Sequence, residues 1–329
     1  MWRDYGNGMS AGQPGPGSRA EDRAKRGKVT GWSAGAVRRH TRWLYSVDAE
    51  ALTVSPAELE LAGSPRTHPT TRPSDADVPP AWTRPLVGVA LTLTVRTLPE
   101  SPEEWDRVRR AWIEALRIRG LVRLHWVTEW QRRGVPHLHV AAYFDRDDPA
   151  VVVGEEALAL WVIRTAERFG ALPQSQTWNE IDGPLGWLQY LSKHAARGVK
   201  HYQRQGKPEA WESTGRLWGK IGDWPLLPAQ DVEIDWATFW RLRRLIRSWR
   251  VADARQALLD ARDEKSARAA RRRITYARRM LASDDPKLSR VRGISDWVPS
   301  ELTQQLHALL LSEGRRMMFR EQGAQDSEM

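Results

Sequence analysis

In the middle of the chain, segments with the hydrophobic spacing of a strand alternate with segments that have the spacing of a helix. Residues 87–95 have the composition of a strand. A helix is predicted to follow, with Ser101 as N-cap, Pro102 at its first position and Gly120 after its end. Two apolar runs, residues 121–130 and 135–144, flank a short turn and predict an antiparallel hairpin.

The pattern after the hairpin predicts a helix over residues 155–169, a strand over 175–181, a helix over 183–198 and a strand over 214–221. The order is therefore β-α-β-β-α-β-α-β. Its first six elements match a split βαβ, or ferredoxin-like, arrangement, which is an α+β fold. In that arrangement the first and third strands are neighbours at the centre of the sheet.

The two ends of the chain have a different character from the middle. Residues 1–35 are predicted to be a disordered basic arm, residues 36–62 include a short helix, and residues 63–80 are a Pro-rich linker. We therefore divide the chain into 1–81, a domain over 82–228, and a mainly helical basic region over 229–329. In this last region, helices are predicted over 231–283 and 298–320.

The charge of the chain favours a polyanionic partner, because 51 Lys and Arg against 41 Asp and Glu give a formal net charge of +10. Within residues 231–283 an arginine face is predicted to contact duplex DNA. The alternatives are a helix that packs on the core with a solvated basic face, and self-association. The residues of this face are Arg241, Arg244, Arg247 and Arg250.

Other features of composition exclude classes of protein. The chain has no cysteine, which excludes disulfides and thiol catalysis, and it has no apolar run of membrane-spanning length. No signal peptide is recognisable at the N-terminus, so we expect a cytoplasmic protein without membrane association. Most of the 18 tryptophans are expected to fill the core, although indole rings also stack on unpaired bases.

The candidate chemistry is concentrated in the predicted hairpin. His137 and His139 are two residues apart on a strand, so both rings leave the same face, and the turn brings Glu129 close to them. Two imidazoles and a carboxylate fill only part of the coordination sphere of a metal ion. They therefore suit a divalent cation that also binds a ligand from outside the protein. A purely structural role for the two histidines is the alternative. Further along, Tyr190 and Lys193 share a helix face, and they supply a nucleophile and a phosphate-binding cation.

These motifs, in this order, resemble the HUH endonucleases, and most closely the rolling-circle replication initiators (Rep proteins) of phages and plasmids. The matching residues are Leu91-Thr92-Leu93-Thr94, Glu129 with His137 and His139, Tyr190 with Lys193, and Gly215-Arg216-Leu217-Trp218-Gly219. The resemblance covers residues 86–225 and implies a five-stranded antiparallel sheet that carries a nuclease site.

The resemblance also implies an activity. Tyr190 would cut single-stranded origin DNA with the help of Mg²⁺ or Mn²⁺, leaving a 5′-phosphotyrosine link and a free 3′-hydroxyl for rolling-circle replication. The reverse reaction would rejoin strands at termination. A host polymerase would extend the 3′-hydroxyl. Because the sequence has no nucleotide-binding P-loop, a host helicase would separate the strands.

Several alternatives remain open at this point. Tyr202 is a second possible nucleophile, Gln131 a fallback metal ligand, and His125 either lines the site or belongs to the core. A relaxase or transposase of the same superfamily is a related alternative. A DNA-binding replication or partition regulator without catalysis is the alternative from a different class.

Overall fold

The computed structural model describes residues 1–12, 28–48, 50–53, 86–181, 202–282 and 293–320. The predicted linker over 63–80 and the predicted helix over 183–198 lie outside these residues. In the described ranges the strands are β1 (Trp2–Asp4), β2 (Gly8–Ala11), β3 (Val87–Thr94), β4 (Leu121–Trp130), β5 (Pro136–Phe144), β6 (Thr177–Glu180), β7 (Trp218–Ile221), β8 (Gln230–Ile234), β9 (Ile294–Trp297) and β10 (Met317–Arg320). The α-helices are α1 (Ala34–Ser46), α2 (Pro102–Arg117), α3 (Ala150–Phe169), α4 (Tyr202–Gln205), α5 (Trp236–Leu259), α6 (Glu264–Ala282) and α7 (Ser300–Ser312).

The chain forms an α+β fold of two compact units, each with one five-stranded antiparallel sheet. One unit, Ala24–Leu226, contains the central sheet, with strand order β6-β3-β5-β4-β7. The other joins Met1–Arg23 to Leu227–Met329 and contains the terminal sheet, with order β10-β8-β1-β2-β9. None of the helices in the described ranges is long and apolar enough to cross a membrane.

The central sheet contains the two strand pairings that the sequence pattern predicts. β3 and β5 are neighbours at its centre, β4 forms a hairpin with β5, and β6 and β7 occupy the edges. Every residue of β5 is buried, as are the last eight residues of β4, so both faces of the sheet are covered. A rigid, doubly covered pair of strands is a suitable base for a functional site.

α2 and α3 lie on one face of the central sheet, and capping residues mark where α2 begins and where α3 ends. Ser101 accepts a hydrogen bond from Glu104 N at the start of α2, with Pro102 next to it, which confirms the predicted cap. α3 begins at Ala150, five residues before the predicted start, and it ends at the left-handed Gly170 (φ +60°).

Tryptophans fill the space between these two helices. Trp161 makes edge-to-face contacts with Trp105 and Trp112, each with ring centroids 5.7 Å apart. All three rings are buried, with exposed fractions of 2% or less. These tryptophans therefore belong to the core, as expected.

The other face of the central sheet is covered in part by α1, which begins two residues before the segment 36–62 that was expected to contain a short helix. Ser33 caps this helix by accepting a hydrogen bond from Ala36 N at 3.1 Å. Leu44 is buried, and the helix contributes His40 and Trp43 to a group of aromatic rings above β4. α1 therefore closes the sheet face from which the side chain of Glu129 also projects.

One expectation about the N-terminal end of the chain is wrong. Residues 1–12, expected in a disordered arm, form β1 and β2, and Trp2 and Met9 are fully buried. The described residues after 229 are mainly helical, as predicted, and they also supply β8, β9 and β10 to the terminal sheet. β1 pairs with β8 across more than two hundred residues, and its stability comes from that pairing and from the burial of Trp2 in a core cluster that includes Leu242 and Ile246 of α5.

Candidate metal centre

The register of the β4–β5 hairpin places the predicted metal ligands side by side. Glu129 lies directly opposite His137, and His139 lies two positions further along β5, opposite Val127. The turn contains Gly134, whose φ of +77° lies in the left-handed region that glycine adopts without steric cost because it has no Cβ. Because alternate residues leave one face of a sheet, all three side chains project on the same side.

The three side chains converge. One ligand atom from each of Glu129, His137 and His139 lies within 4.8 Å of the other two. Glu129 Oε2 is 3.6 Å from His139 Nε2, and the two imidazole rings stand at 83° with centroids 4.6 Å apart. The exposed fractions are 0% for Glu129, 8% for His137 and 4% for His139. Two nitrogens and one oxygen at this spacing could hold a divalent cation, so the donor set fits the predicted metal.

Thr92 of β3 fixes the orientation of one of these rings. Its Oγ1 lies 3.3 Å from Nδ1 of His139, its cross-strand neighbour. When Nδ1 donates its proton to the threonine hydroxyl, the lone pair of Nε2 is free to bind a cation. The segment Leu91-Thr92-Leu93-Thr94 therefore contributes to the site by orienting a candidate ligand.

Arg204 of α4 approaches the carboxylate from the other side. Its Nε lies 3.8 Å from Glu129 Oε1, and both side chains are fully buried. The guanidinium also lies over the ring of Trp32, 4.1 Å from the centroid, and Trp32 Nε1 donates a hydrogen bond to Thr128 O at 3.1 Å. Arg204 thus holds one carboxylate oxygen while the other faces His139. Sequence reasoning missed this residue, because no local pattern marks it.

Replacing Arg204 by methionine is expected to destabilise the fold by about 3–5 kcal/mol, because it removes a fully buried cation that pairs with the buried Glu129 carboxylate. Urea denaturation monitored by tryptophan fluorescence measures this change. Arg132→Met is the matched control: Arg132 is exposed, and its loss is expected to alter the free energy of unfolding by less than about 0.5 kcal/mol. Equal stability of the two variants would contradict a structural role for the Arg204–Glu129 pair.

The other residues discussed from the sequence have different positions. Tyr190 and Lys193 lie outside the described residues. Tyr202 is 48% exposed on α4, with the Arg132 guanidinium 5.3 Å from its ring centroid. Gln131 donates from Nε2 to Thr94 Oγ1 at 2.7 Å and accepts from Arg133 Nε at 2.7 Å, so its amide is engaged beside the site.

His125 belongs to the core. It is fully buried on β4, its Nε2 lies 3.1 Å from His40 Nε2, and its ring stacks on Trp43 with centroids 4.7 Å apart. Burial, and then the neighbouring His40, hold the pKa of His125 well below its ordinary range. Its ring is therefore neutral at physiological pH. Sequence reasoning missed His40 altogether, because the contact joins residues 85 positions apart.

The segment Gly215–Gly219 lies along the outer side of β4. Leu217 O accepts a hydrogen bond from Thr128 N at 2.7 Å, and Trp218 and Gly219 pair with Val127 and Trp126. A Cβ on Gly219 would come within 2.1 Å of the Trp126 ring, so glycine is required there. This segment therefore supports the strand that carries Glu129.

The predicted DNA-binding arginines of α5 are mostly engaged within their own unit. Arg241 pairs with Glu313 through both carboxylate oxygens, and Arg250 pairs with Asp296 in the same way. Arg247 is 7% exposed, whereas Arg244 is exposed. Of the four, Arg244 is the residue that presents its guanidinium to solvent.

Comparison with known proteins finds relatives that match over most of this chain. A protein named as a putative replication protein from Xylella fastidiosa strain 9a5c is 40% identical over 301 residues, which cover 89% of this chain and 90% of the relative. A second, from strain Temecula1, is 42% identical over 284 residues, covering 84% of this chain and 90% of the relative. A replication-associated protein of Pseudomonas phage Pf3 is 38% identical over 295 residues, covering 89% of this chain and 90% of the relative.

Other comparisons give no match: no family model matches the chain, and no solved structure matches it. The relatives of phage and bacterial origin are nevertheless similar over nearly their whole length. Because the alignments cover 84–89% of the chain, they include residues of both compact units. The chain therefore belongs to the family of replication proteins that includes those of Xylella fastidiosa and phage Pf3.

Proposed function

We propose that the chain initiates replication by cutting one DNA strand at an origin, using a tyrosine nucleophile and a bound divalent cation. The observation that carries this proposal is the convergence of Glu129, His137 and His139, with ligand atoms within 4.8 Å of one another. The names of the relatives support the biological setting, because they are replication proteins of a phage and of Xylella fastidiosa.

Glu129, His137 and His139 would hold the cation, which we propose to be Mn²⁺ or Mg²⁺. Two imidazole nitrogens suit Mn²⁺ better than Mg²⁺, which prefers an all-oxygen set. A cation at this position supplies positive charge to the non-bridging oxygens of the scissile phosphate. Arg204 keeps the carboxylate in place, and Thr92 keeps the His139 ring in place, so that the ligands need little reorganisation when the cation binds.

Tyr190 would attack the phosphodiester. A bond forms between its phenolic oxygen and phosphorus, the bond from phosphorus to the 3′ oxygen breaks, and the phenol proton ends on the departing 3′ oxygen. A phenol with a pKa of about 10 is a poor nucleophile at neutral pH, so it needs help in losing its proton. Lys193, three residues after Tyr190 in the sequence, is the proposed cation for the developing phenolate or for the phosphate.

The products explain how such a reaction serves replication. The 5′-phosphotyrosine bond retains the energy of the cut link, so the free 3′-hydroxyl can attack it and rejoin strands without ATP. Before that, the same hydroxyl can be extended by a host polymerase. Strand separation would come from a host helicase, because the sequence contains no P-loop.

Metal removal tests the proposal. The purified chain is incubated with single-stranded fragments that tile its own replicon, with Mn²⁺ or with EDTA, and separated on a denaturing gel. We expect a labelled covalent protein–DNA adduct with Mn²⁺, none with EDTA, and its return when Mn²⁺ is added in excess. The physical reason is that charge on the scissile phosphate is not stabilised without the cation.

The contrary outcome is equally distinct. If the chain binds these fragments but forms no adduct with any divalent cation, the proposed chemistry is wrong. The non-catalytic DNA-binding regulator would then be the better description.

A further inference from the structure

The surface of α6 carries a strong positive charge. Its 19 residues include seven basic side chains and one acidic side chain. Ala270 and Ala277 are buried, Ala267 and Ile274 are partly buried, and this stripe packs against α5. Small side chains keep α6 close to α5 and leave most of the rest of its circumference exposed.

Directly opposite the alanine stripe lies a line of exposed residues, which we call the α6 outer line. Successive members are three or four residues apart, so they share one face of the helix. Its members are Lys265, Arg268, Arg272, Tyr276 and Arg279, all of them exposed. The line covers 14 steps of the helix, which at about 1.5 Å per residue is about 21 Å.

The carboxylates near α6 pair mainly with arginines that lie beside the outer line and not on it. Arg271 is 3.0 Å from Glu264 Oε1, and Arg273 is 2.6 Å from Asp253 Oδ2. On the outer line, Arg268 is at the limit of an ion pair with Glu264, at 4.0 Å. Within the described part of the chain, Arg272 and Lys265 form no ion pair, so their charges remain available to a partner.

We infer that the α6 outer line binds the phosphate backbone of duplex DNA beside the origin. The inference rests on the proposed action on DNA and names a second contact, separate from the metal centre. A duplex carries one negative charge for about every 1.7 Å of its axis, so about twelve phosphates lie along 21 Å. An α-helix with a basic face fits the dimensions of the major groove and its phosphate walls.

The composition of the line favours a duplex over a single strand. Binding of single-stranded DNA depends on several aromatic rings on which successive bases stack. The outer line has one aromatic residue, Tyr276, which is 64% exposed, among four cations. Its cations are held at fixed spacing by a helix, which suits the regular phosphate rows of a duplex. A contact of this kind positions the protein without reading sequence.

The test is the salt dependence of duplex binding by the full chain. The variant Lys265→Gln/Arg272→Gln is compared with wild type on a short duplex by fluorescence anisotropy over a series of salt concentrations. We expect the slope of log K against log salt to become shallower by about 2, since each lost phosphate contact removes about 0.9. At low salt the affinity should fall roughly tenfold or more.

Two further variants complete the experiment. Arg107→Gln/Arg117→Gln removes two exposed arginines from α2 and should keep the wild-type slope. Lys265→Arg/Arg272→Lys keeps the charges and should keep most of the slope, which separates charge from any effect on folding. An unchanged slope in the glutamine variant of α6 would overturn the inference. An equal loss on single-stranded DNA would overturn its assignment to duplex.

Failure of this test is distinguishable from failure of the proposed function. Cutting of single-stranded fragments by the α6 glutamine variant reports on the metal centre alone, and we expect it to persist. Conversely, the slopes can be measured even if no adduct forms with any cation.

Discussion

Replacing His139 by alanine is expected to reduce adduct formation by on the order of 10³-fold or more. The cation at this site is proposed to contribute several kcal/mol of charge stabilisation, and about 4 kcal/mol corresponds to a thousandfold in rate. His139 Nε2 lies 3.6 Å from Glu129 Oε2, so removal of the ring takes away one of three converging ligands. The cation then binds at least ten- to a hundredfold more weakly, by the usual cost of disturbing such a site.

Two measurements separate this effect from a general loss of structure. Mn²⁺ binding, followed by electron paramagnetic resonance of the free ion, should weaken in His139→Ala. Duplex DNA affinity should change little, because lysine and arginine contacts to phosphates provide most of it. A cutting rate near that of wild type would show that the ligand assignment is wrong.

His125→Ala is the matched control for this experiment. His125 lies on the same face of the sheet and is also buried, but it contacts His40 and Trp43 rather than the metal ligands. Its removal is expected to lower stability while leaving Mn²⁺ binding and adduct formation largely intact. If both histidine variants lose Mn²⁺ binding to the same extent, the effect is structural and not specific to the metal centre.

The hairpin of the central sheet was predictable because its determinants are local. Strand alternation puts His137 and His139 on one face, and the short turn at Gly134 fixes which residues of β4 lie opposite them. The same reasoning extends to the Ser101 cap and to the neighbouring positions of β3 and β5. Each of these features depends on a few adjacent residues or on a topology with few alternatives.

The terminal sheet was not predictable by the same reasoning. β1 and β2 have three and four residues, too few for a periodic signal, and they depend on pairing with β8 and β9 far along the chain. Local composition near Met1 is polar and glycine-rich, which is typical of a disordered segment. The burial of Trp2 in a core cluster that includes Leu242 and Ile246 outweighs that local tendency.

Charge pairing is also invisible in sequence when the partners are distant. The pattern of α5 shows a basic face, but Glu313 and Asp296 pair with Arg241 and Arg250 from elements 72 and 46 residues away. On α6 the flanking Arg271 and Arg273 have carboxylate partners within about twenty residues, and the outer line is left exposed. Most of the α5 arginines that the sequence pattern predicts to bind DNA are therefore paired or buried in the fold. The outer line of α6, in contrast, is exposed to solvent.

Replacing Tyr190 by phenylalanine is expected to abolish the covalent adduct with single-stranded DNA. The change removes the atom that would bond to phosphorus and preserves the aromatic ring, so it is the smallest substitution that eliminates the nucleophile. Since no other group is proposed to attack, adduct formation should fall below detection on a denaturing gel, whereas DNA binding and Mn²⁺ binding should persist.

Tyr202→Phe is the matched control, since Tyr202 is the other tyrosine considered as a nucleophile. It is 48% exposed on α4, and its ring contacts Arg132. This variant should form the adduct as wild type does. Protease digestion and mass spectrometry of the wild-type adduct should place the nucleotide on the peptide that contains residue 190. An adduct that survives in Tyr190→Phe and disappears in Tyr202→Phe would transfer the nucleophile to α4, two residues before the arginine that holds the Glu129 carboxylate.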